Sequence, residues 1–242
     1  MKNYLLLLYC FTFLIGNNKE HIKNSPISIL SKINKEKLNL KKPVFSFNKK
    51  WVENINLILP CDGVPVPKRT MRLPNAPRDY RSGIHRGIDF FANWGSLVKN
   101  VSRGVVLRAD HGFKEVPPNF REDLLKKSAK VGYTPSDIFN NILLGRAVFI
   151  DHGFDLLEEY RIITIYAHLS HIEENIIPGL IIEQGELIGR SGNSGMREST
   201  IGSKEGSHLH WEMIFQKDTN EIYLGQDMPN PDLYNMLKKL FK

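Results

Sequence analysis

From Gly83 onward, short runs rich in Ile, Val, Phe and Tyr alternate with glycines, and this pattern restricts the possible folds most. Such runs bounded by turn residues are typical of β-strands, and many of them at close spacing favour a mostly β, antiparallel domain. With 242 residues, 41% of them hydrophobic, the chain has ample material for one core. The predicted strands are residues 87–91, 97–100, 104–109, 147–152, 161–168, 187–190 and 208–215.

Two segments depart from the strand pattern. Residues 119–130 (NFREDLLKKSAK) have acids near their start and lysines near their end, which complements a helix dipole, with Asn119 as the N-cap. Near the C-terminus, Asn230 is predicted to be the N-cap of a helix whose first residue is Pro231. The apolar residues that follow share one helical face: Leu233, Met236, Leu237 and Leu240. We therefore predict a helical insertion and a C-terminal helix packed on the sheet.

The basic charge of the chain is confined to its N-terminal part. The formal charge is +7, yet residues 1–50 alone carry ten lysines and two glutamates, a formal +8, which leaves −1 for residues 51–242. This distribution disfavours a nucleic-acid-binding body. We predict a flexible basic arm over residues 17–50 that contacts acidic groups of a wall or membrane surface, followed by a proline-rich segment, 51–82, that wraps a surface.

The chain opens with an apolar run over residues 4–15, which is shorter than the roughly 20 residues of a membrane-spanning helix. Placed directly after Met and Lys, it predicts an export signal over residues 1–16 and hence a protein of the periplasm or cell envelope. A buried N-terminal helix is the alternative. Cleavage after Gly16 and lipid attachment at Cys10, which would anchor the protein, both stay open.

Candidate metal ligands lie on two of the predicted strands. Side chains alternate faces along a strand, so His85 and Asp89 share one face of the first. On the last strand His208, His210 and Glu212 share a face, opposite apolar neighbours. Two imidazoles two residues apart on a strand are uncommon and can converge on one ion, with a surface pair as the alternative. For His85 and Asp89 alone, an exposed histidine and a turn aspartate are the simpler interpretation.

A further histidine, His168, ends the apolar strand 161–168, where a structural role would be the simpler interpretation. His152, which precedes a glycine after another apolar run, is predicted to be a turn residue. Taken together, the three motifs supply two histidines and an aspartate for a metal, with further imidazoles for proton transfer. Three protein ligands that leave an open position are typical of a catalytic zinc site.

The order of these motifs resembles that of the M23 peptidases, the lysostaphin-type zinc endopeptidases of bacterial cell walls. It consists of His-x-x-x-Asp, Tyr-Ala-His-Leu-Ser, Gly-x-x-Ile-Gly-x-Ser-Gly-Asn-Ser-Gly and His-Leu-His, within residues 83–215. The resemblance implies an antiparallel β domain over residues 83–242 with a groove walled by loops, and hydrolysis of peptide bonds in peptidoglycan stems or cross-links.

Carried over by position, the resemblance implies that His85, Asp89 and His210 bind Zn2+. It further implies that His208 is the general base and that His168 stabilises the tetrahedral intermediate. Glu212 could orient a ligand or be a solvated strand residue.

Five questions stay open at this stage. A non-catalytic envelope module of the same fold, which binds wall or activates other hydrolases, is the main alternative. The insertion 111–146 is longer than expected and could wall or cap the groove. An upstream segment fills the open metal position in latent relatives, and the stretch 51–80 could do so here through Asn54, Asn56 or Asn75. The peptide bond that is cut and the oligomeric state are not predicted.

Overall fold

A computed structural model describes residues 46–242 of the protein. The predicted export signal, 1–16, and most of the basic arm, 17–50, lie outside the described residues. Among the helices of residues 46–242, none has the length and apolar character that crossing a membrane requires.

Twelve strands lie in the described part of the chain. They are β1 (Pro77–Arg78), β2 (Gly83–Ile84), β3 (Ile88–Phe90), β4 (Leu97–Lys99), β5 (Gly104–Ala109), β6 (Val148–Asp151), β7 (Arg161–Ala167), β8 (His171–Ile172), β9 (Ile181–Ile182), β10 (Leu187–Arg190), β11 (Leu209–Lys217) and β12 (Asn220–Tyr223).

The helices are fewer and mostly short. They are α1 (Pro118–Val131), α2 (Ser136–Ile138), α3 (Arg197–Thr200) and α4 (Asp232–Leu240), with 3-10 helices at Lys49–Val52, Thr70–Arg72 and Asp79–Arg81 and a π-helical turn at Phe139–Leu143.

A seven-stranded antiparallel sheet forms the body. Its order is β12-β11-β7-β6-β5-β9, while β3 pairs with the first residues of β11 and β12 with the last. Strands β4, β10 and β8 form a second sheet, and β1 and β2 form a hairpin. All these pairs are antiparallel, so the predicted fold class is confirmed.

The core follows from the alternation of side chains along the strands. On β11, Leu209, Trp211, Met213 and Phe215 face the main hydrophobic cluster and are fully buried. The opposite face of the sheet is also covered, because a smaller cluster forms around Leu144 and Ile165. His210 and Glu212, which alternate with these core residues on β11, are therefore buried as well.

Both predicted helices are present, but neither begins as expected. Helix α1 starts at Pro118, with Pro117 in the cap position and no side-chain cap, so Asn119 lies inside the helix. Helix α4 starts at Asp232 after Pro231, so Asn230 is not its cap. In both cases a proline, whose φ angle already suits the first turn, replaces the capping side chain. Leu233, Leu237 and Leu240 of α4 are buried against the core, as predicted.

Candidate metal centre

Three predicted ligands from separate elements meet at one point. Asp89 lies in the middle of β3 and His210 near the start of β11, and the register of this antiparallel pair places the two residues directly opposite each other. His85 follows β2. Asp89 Oδ1 lies 2.9 Å from both His85 Nε2 and His210 Nδ1, and these two nitrogens are 3.1 Å apart. All three side chains are buried.

The tautomers of both imidazoles follow from the acceptors on their far sides. His85 Nδ1 lies 2.8 Å from the carbonyl oxygen of Leu73, and His210 Nε2 lies 2.8 Å from Glu212 Oε1. Because these oxygens can only accept, the far nitrogens carry the protons. In the neutral rings, His85 Nε2 and His210 Nδ1 then each carry a lone pair that points at Asp89 Oδ1. Three converging acceptors fit a bound cation.

The electrostatics of the cation-free site support this interpretation. Burial opposes the charge of Asp89, but His85 and His208 hold its pKa well below the usual range. Burial lowers the pKa of His85, partly opposed by Asp89. Burial also opposes a charge on His210, yet its hydrogen bonds to Asp89 and Glu212 outweigh this effect and raise its pKa to about 9. His210 can therefore carry a proton beside Asp89, and a cation that bound the three side chains would displace it.

Glu212 is fully buried and supports His210 from behind. Its second oxygen forms an ion pair with Arg86 Nη2 at 3.0 Å. Burial opposes ionisation of Glu212, but Arg86 and His210 outweigh it and lower the pKa to about 2. The interpretation of Glu212 as a solvated strand residue is therefore wrong. The Arg86 guanidinium lies over the ring of Phe139, 4.6 Å from its centroid, so the insertion packs against this ion pair.

His168 and His208 lie beside the three ligand residues, with their ring planes at 69° to each other. His168 Nδ1 donates to the carbonyl oxygen of Ser194 at 2.8 Å, and His208 Nδ1 donates to that of Gly206 at 2.7 Å. Both rings line the cavity that the ligand residues line, and their centroids are 4.9 Å apart. His208 Nε2 is 3.5 Å from Asp89 Oδ1. Burial, with His208 and His210 nearby, holds the pKa of His168 well below its usual range.

The cavity has a volume of about 1010 Å³ and three walls. The proline-rich segment contributes residues 69–81, and the insertion contributes α1 and the π-helical turn. The third wall is residues 196–208. Glu115 of the insertion accepts hydrogen bonds from Gly195 N at 3.0 Å and Ser199 Oγ at 2.6 Å, which ties the second wall to the third. The insertion thus forms a wall of the groove.

The asparagines considered as candidates for blocking the metal position lie elsewhere. Asn75 binds Tyr223 Oη, Asp227 N and two carbonyl groups, while Asn54 and Asn56 are exposed, and none of the three lines the cavity. The proline-rich segment 51–82 instead contacts the candidate ligands through the Leu73 carbonyl, which accepts from His85, and through Arg78, whose Nη2 lies 3.4 Å from Asp89 Oδ2.

The carbonyl groups of Leu73, Ser194 and Gly206 that hold the histidines were not predicted, because backbone carbonyls of distant loops have no sequence pattern. Only Glu212 carried a signal, its position two residues beyond His210 on the same strand face.

Comparison with known proteins gives a family match. Residues 127–222 match the model of peptidase family M23, a range that holds His168, His208, His210 and Glu212 but not His85 or Asp89. No curated protein sequence matches the chain.

Among solved structures, a zinc-containing peptidase from Vibrio cholerae is 17% identical, with a TM-score of 0.36, and the match covers 74% of this chain and 39% of that one. The catalytic domain of the antimicrobial peptidase lysostaphin from Staphylococcus simulans is 19% identical, with a TM-score of 0.36 and coverage of 77% and 98%. For the longer lysostaphin structure the identity is 20%, the TM-score 0.37 and the coverage 79% and 55%. The chain thus spans about half of the longer lysostaphin structure and less than half of the Vibrio cholerae peptidase.

Proposed function

From residues 127–222, which belong to peptidase family M23, and from the buried His/Asp/His cluster, we propose that the chain is a zinc-dependent endopeptidase. Its substrates are the peptide stems or cross-links of peptidoglycan.

One observation carries this proposal: the lone pairs of His85 and His210 converge with Asp89 Oδ1 within 3.1 Å, with no hydrogen-bond donor between them in the neutral tautomers. A further two imidazoles line the same cavity. Two nitrogens and one carboxylate oxygen form a donor set that suits zinc and leaves a coordination position for water or substrate. Zinc bound there would supply Lewis acidity and lower the pKa of water.

In this proposal His208 is the general base. Its Nδ1 proton is held by the Gly206 carbonyl, so Nε2 offers its lone pair on the cavity side, 3.5 Å from Asp89 Oδ1. That nitrogen can accept a proton from the attacking water and later deliver it to the leaving amine.

His168 has the complementary role of stabilising the tetrahedral intermediate. Because Ser194 holds its Nδ1 proton, His168 can donate toward an oxyanion only when Nε2 also carries a proton. Burial disfavours that charge in the free protein. Negative charge growing in the cavity would favour it, so His168 would take up a proton from solvent as the intermediate forms and return it when the intermediate collapses.

The cellular setting is a further proposal that rests on the sequence. Residues 1–16 would direct export to the periplasm or envelope, or anchor the protein there, and the lysines of residues 17–50 would contact acidic wall or membrane groups.

Digestion of purified peptidoglycan by the purified full-length chain, loaded with one equivalent of zinc, tests the proposal. Mass spectrometry of the products should show one type of peptide bond cut, with a new amine and a new carboxylate. Chelation should abolish the products and zinc should restore them. If the zinc-loaded chain binds the wall material and releases no fragment, the non-catalytic alternative is correct.

A further inference from the structure

The cavity wall nearest to Asp89 carries positive charge that the described residues leave partly unneutralised. Arg69, Arg72 and Arg78, around the 3-10 helix Thr70–Arg72, line the same cavity as His85, Asp89 and His210. Arg78 bonds to Asp89. Within residues 46–242, the Arg72 side chain makes no hydrogen bond or ion pair.

The other two walls differ, because Arg121 of the second and Arg197 of the third are engaged. Arg121 Nε donates to the carbonyl oxygen of Gly195 at 2.9 Å, and Arg197 pairs with Glu122 at 3.4 Å. Of the three walls, only that of Arg72 therefore holds a guanidinium whose N–H donors are all available. The one interaction that the described residues give the Arg72 side chain is with the ring face of Phe91.

Arg72 is also held close to the metal ligands. Its neighbour Leu73 is fully buried and accepts the hydrogen bond of His85, which fixes the backbone beside Arg72. The guanidinium carbon lies 3.8 Å from the ring centroid of Phe91, two residues after Asp89. A guanidinium stacked on a ring keeps its edge N–H groups available for a planar partner.

The electrostatic surroundings favour an anion at that edge. Burial lowers the pKa of Arg72; Asp89 raises it, whereas Arg69 and Arg78 lower it further. A carboxylate is the natural partner, because its two oxygens match the guanidinium fork and their charge would relieve the mutual repulsion of the arginines.

We propose that Arg72, with its guanidinium stacked on Phe91, is a carboxylate-binding subsite beside the metal centre. It selects peptides that carry a free carboxylate close to the bond that is cut. The identification of the ligand as a peptide rests on the proposed function, whereas recognition of a carboxylate does not depend on hydrolysis.

The test compares peptidoglycan with intact stem carboxylates and the same material after carbodiimide-mediated amidation. The full-length zinc-loaded chain should digest the intact material at least about tenfold faster, since a charge-assisted hydrogen bond is lost on amidation. Arg72→Gln should digest both preparations at the slow rate, with unchanged zinc content. Arg72→Lys, which keeps the charge but loses the fork, should show an intermediate preference. Arg103→Gln removes an exposed arginine that pairs with Glu183 and does not line the cavity, so it should behave as wild type.

Equal digestion of both preparations by the wild type, or a preference that persists in Arg72→Gln, would overturn the subsite. If the wild type digests neither preparation, the peptidase proposal fails, and cosedimentation with the two preparations then decides the subsite. Binding that prefers intact carboxylates and loses that preference in Arg72→Gln supports it, and binding without preference rejects it.

Discussion

His152 is buried and His168 is half-buried; both follow a strand, and their hydrogen bonds differ at one ring nitrogen. His152 uses both: Nδ1 contacts the Arg103 carbonyl and Nε2 contacts Thr164 Oγ1, each at 2.8 Å. His168 uses only Nδ1, and its ring lines the cavity. Burial is the largest cause of a lowered pKa in both. The direction of the pKa shift therefore does not separate a structural histidine from one with a proposed catalytic role, whereas the second ring nitrogen does.

The topology explains why the two residues reach such different places. Strands β6 and β7 are antiparallel, so His152 and His168, which follow their last residues, lie at opposite ends of the sheet. Strand β11 is antiparallel to β7 and pairs His210 with Ala167. The start of β11 thus lies at the same end of the sheet as His168, and all the histidines of the candidate site lie at that end.

The largest effect should come from removing a ligand. His210→Ala deletes one of the three converging lone pairs and leaves Glu212 buried without its donor. Zinc content should fall far below one equivalent and peptidoglycan digestion should fall more than about 10⁴-fold. Metal analysis of the purified variant checks the first effect, and product release checks the second. A variant that retains a full equivalent of zinc would remove His210 from the ligand set.

The second-largest effect, that of His208→Ala, should distinguish a general base from a metal ligand. His208→Ala should retain zinc, because His85, Asp89 and His210 are untouched. Its kcat should fall by about 10²–10⁴, the usual contribution of a general base. The informative measurement is zinc stoichiometry and kcat on the same preparation. Loss of both together would show that His208 is a ligand, and loss of neither would show that it has no role in the reaction.

The sequence predicted the site better than its surroundings. Strand periodicity alone placed His208, His210 and Glu212 on one face, and the structure has that arrangement. His152 does begin a turn, because the Asp155 N–H donates to the His152 carbonyl at 3.3 Å. Its two side-chain partners come from residues 103 and 164, however, and no local pattern reports them. The short strands β8, β9 and β12 were missed too, since so few residues show no period.

The next expected effect concerns orientation. Glu212→Gln keeps the shape of the side chain but loses the charge that Arg86 and the His210 N–H both contact. Zinc affinity or activity should fall by about 10- to 100-fold, as for other partners of metal-binding histidines. A competition titration against a chelator measures the affinity. Glu221→Gln, an exposed acid on β12, is the matched control and should change neither quantity. An unaltered affinity in Glu212→Gln would mean that the charge of Glu212 does not contribute to metal binding.

The smallest effect on activity, and a clear effect on stability, should come from His152→Gln. This residue lies at the far end of the sheet, so kcat/KM should stay within about twofold of wild type. The free energy of unfolding at pH 7.5 should fall by about 1–3 kcal/mol, because buried groups lose a partner. Denaturant titration measures it.

The pH dependence of that stability difference tests the cause. Burial holds the pKa of His152 below 6.5 in the folded state, against the partly opposing hydrogen bond to Arg103 and the nearby charges of Asp151 and Asp155. As the pH falls through 6.5, the unfolded chain binds a proton at His152 that the folded protein does not, so the wild type loses stability from there down to the folded pKa. The glutamine of the variant does not titrate, and the other histidines contribute equally to both proteins. The stability difference between wild type and His152→Gln should therefore shrink between pH 7.5 and 5.5. A difference that stays constant would mean that His152 is protonated alike in both states, and its burial would then have no electrostatic consequence.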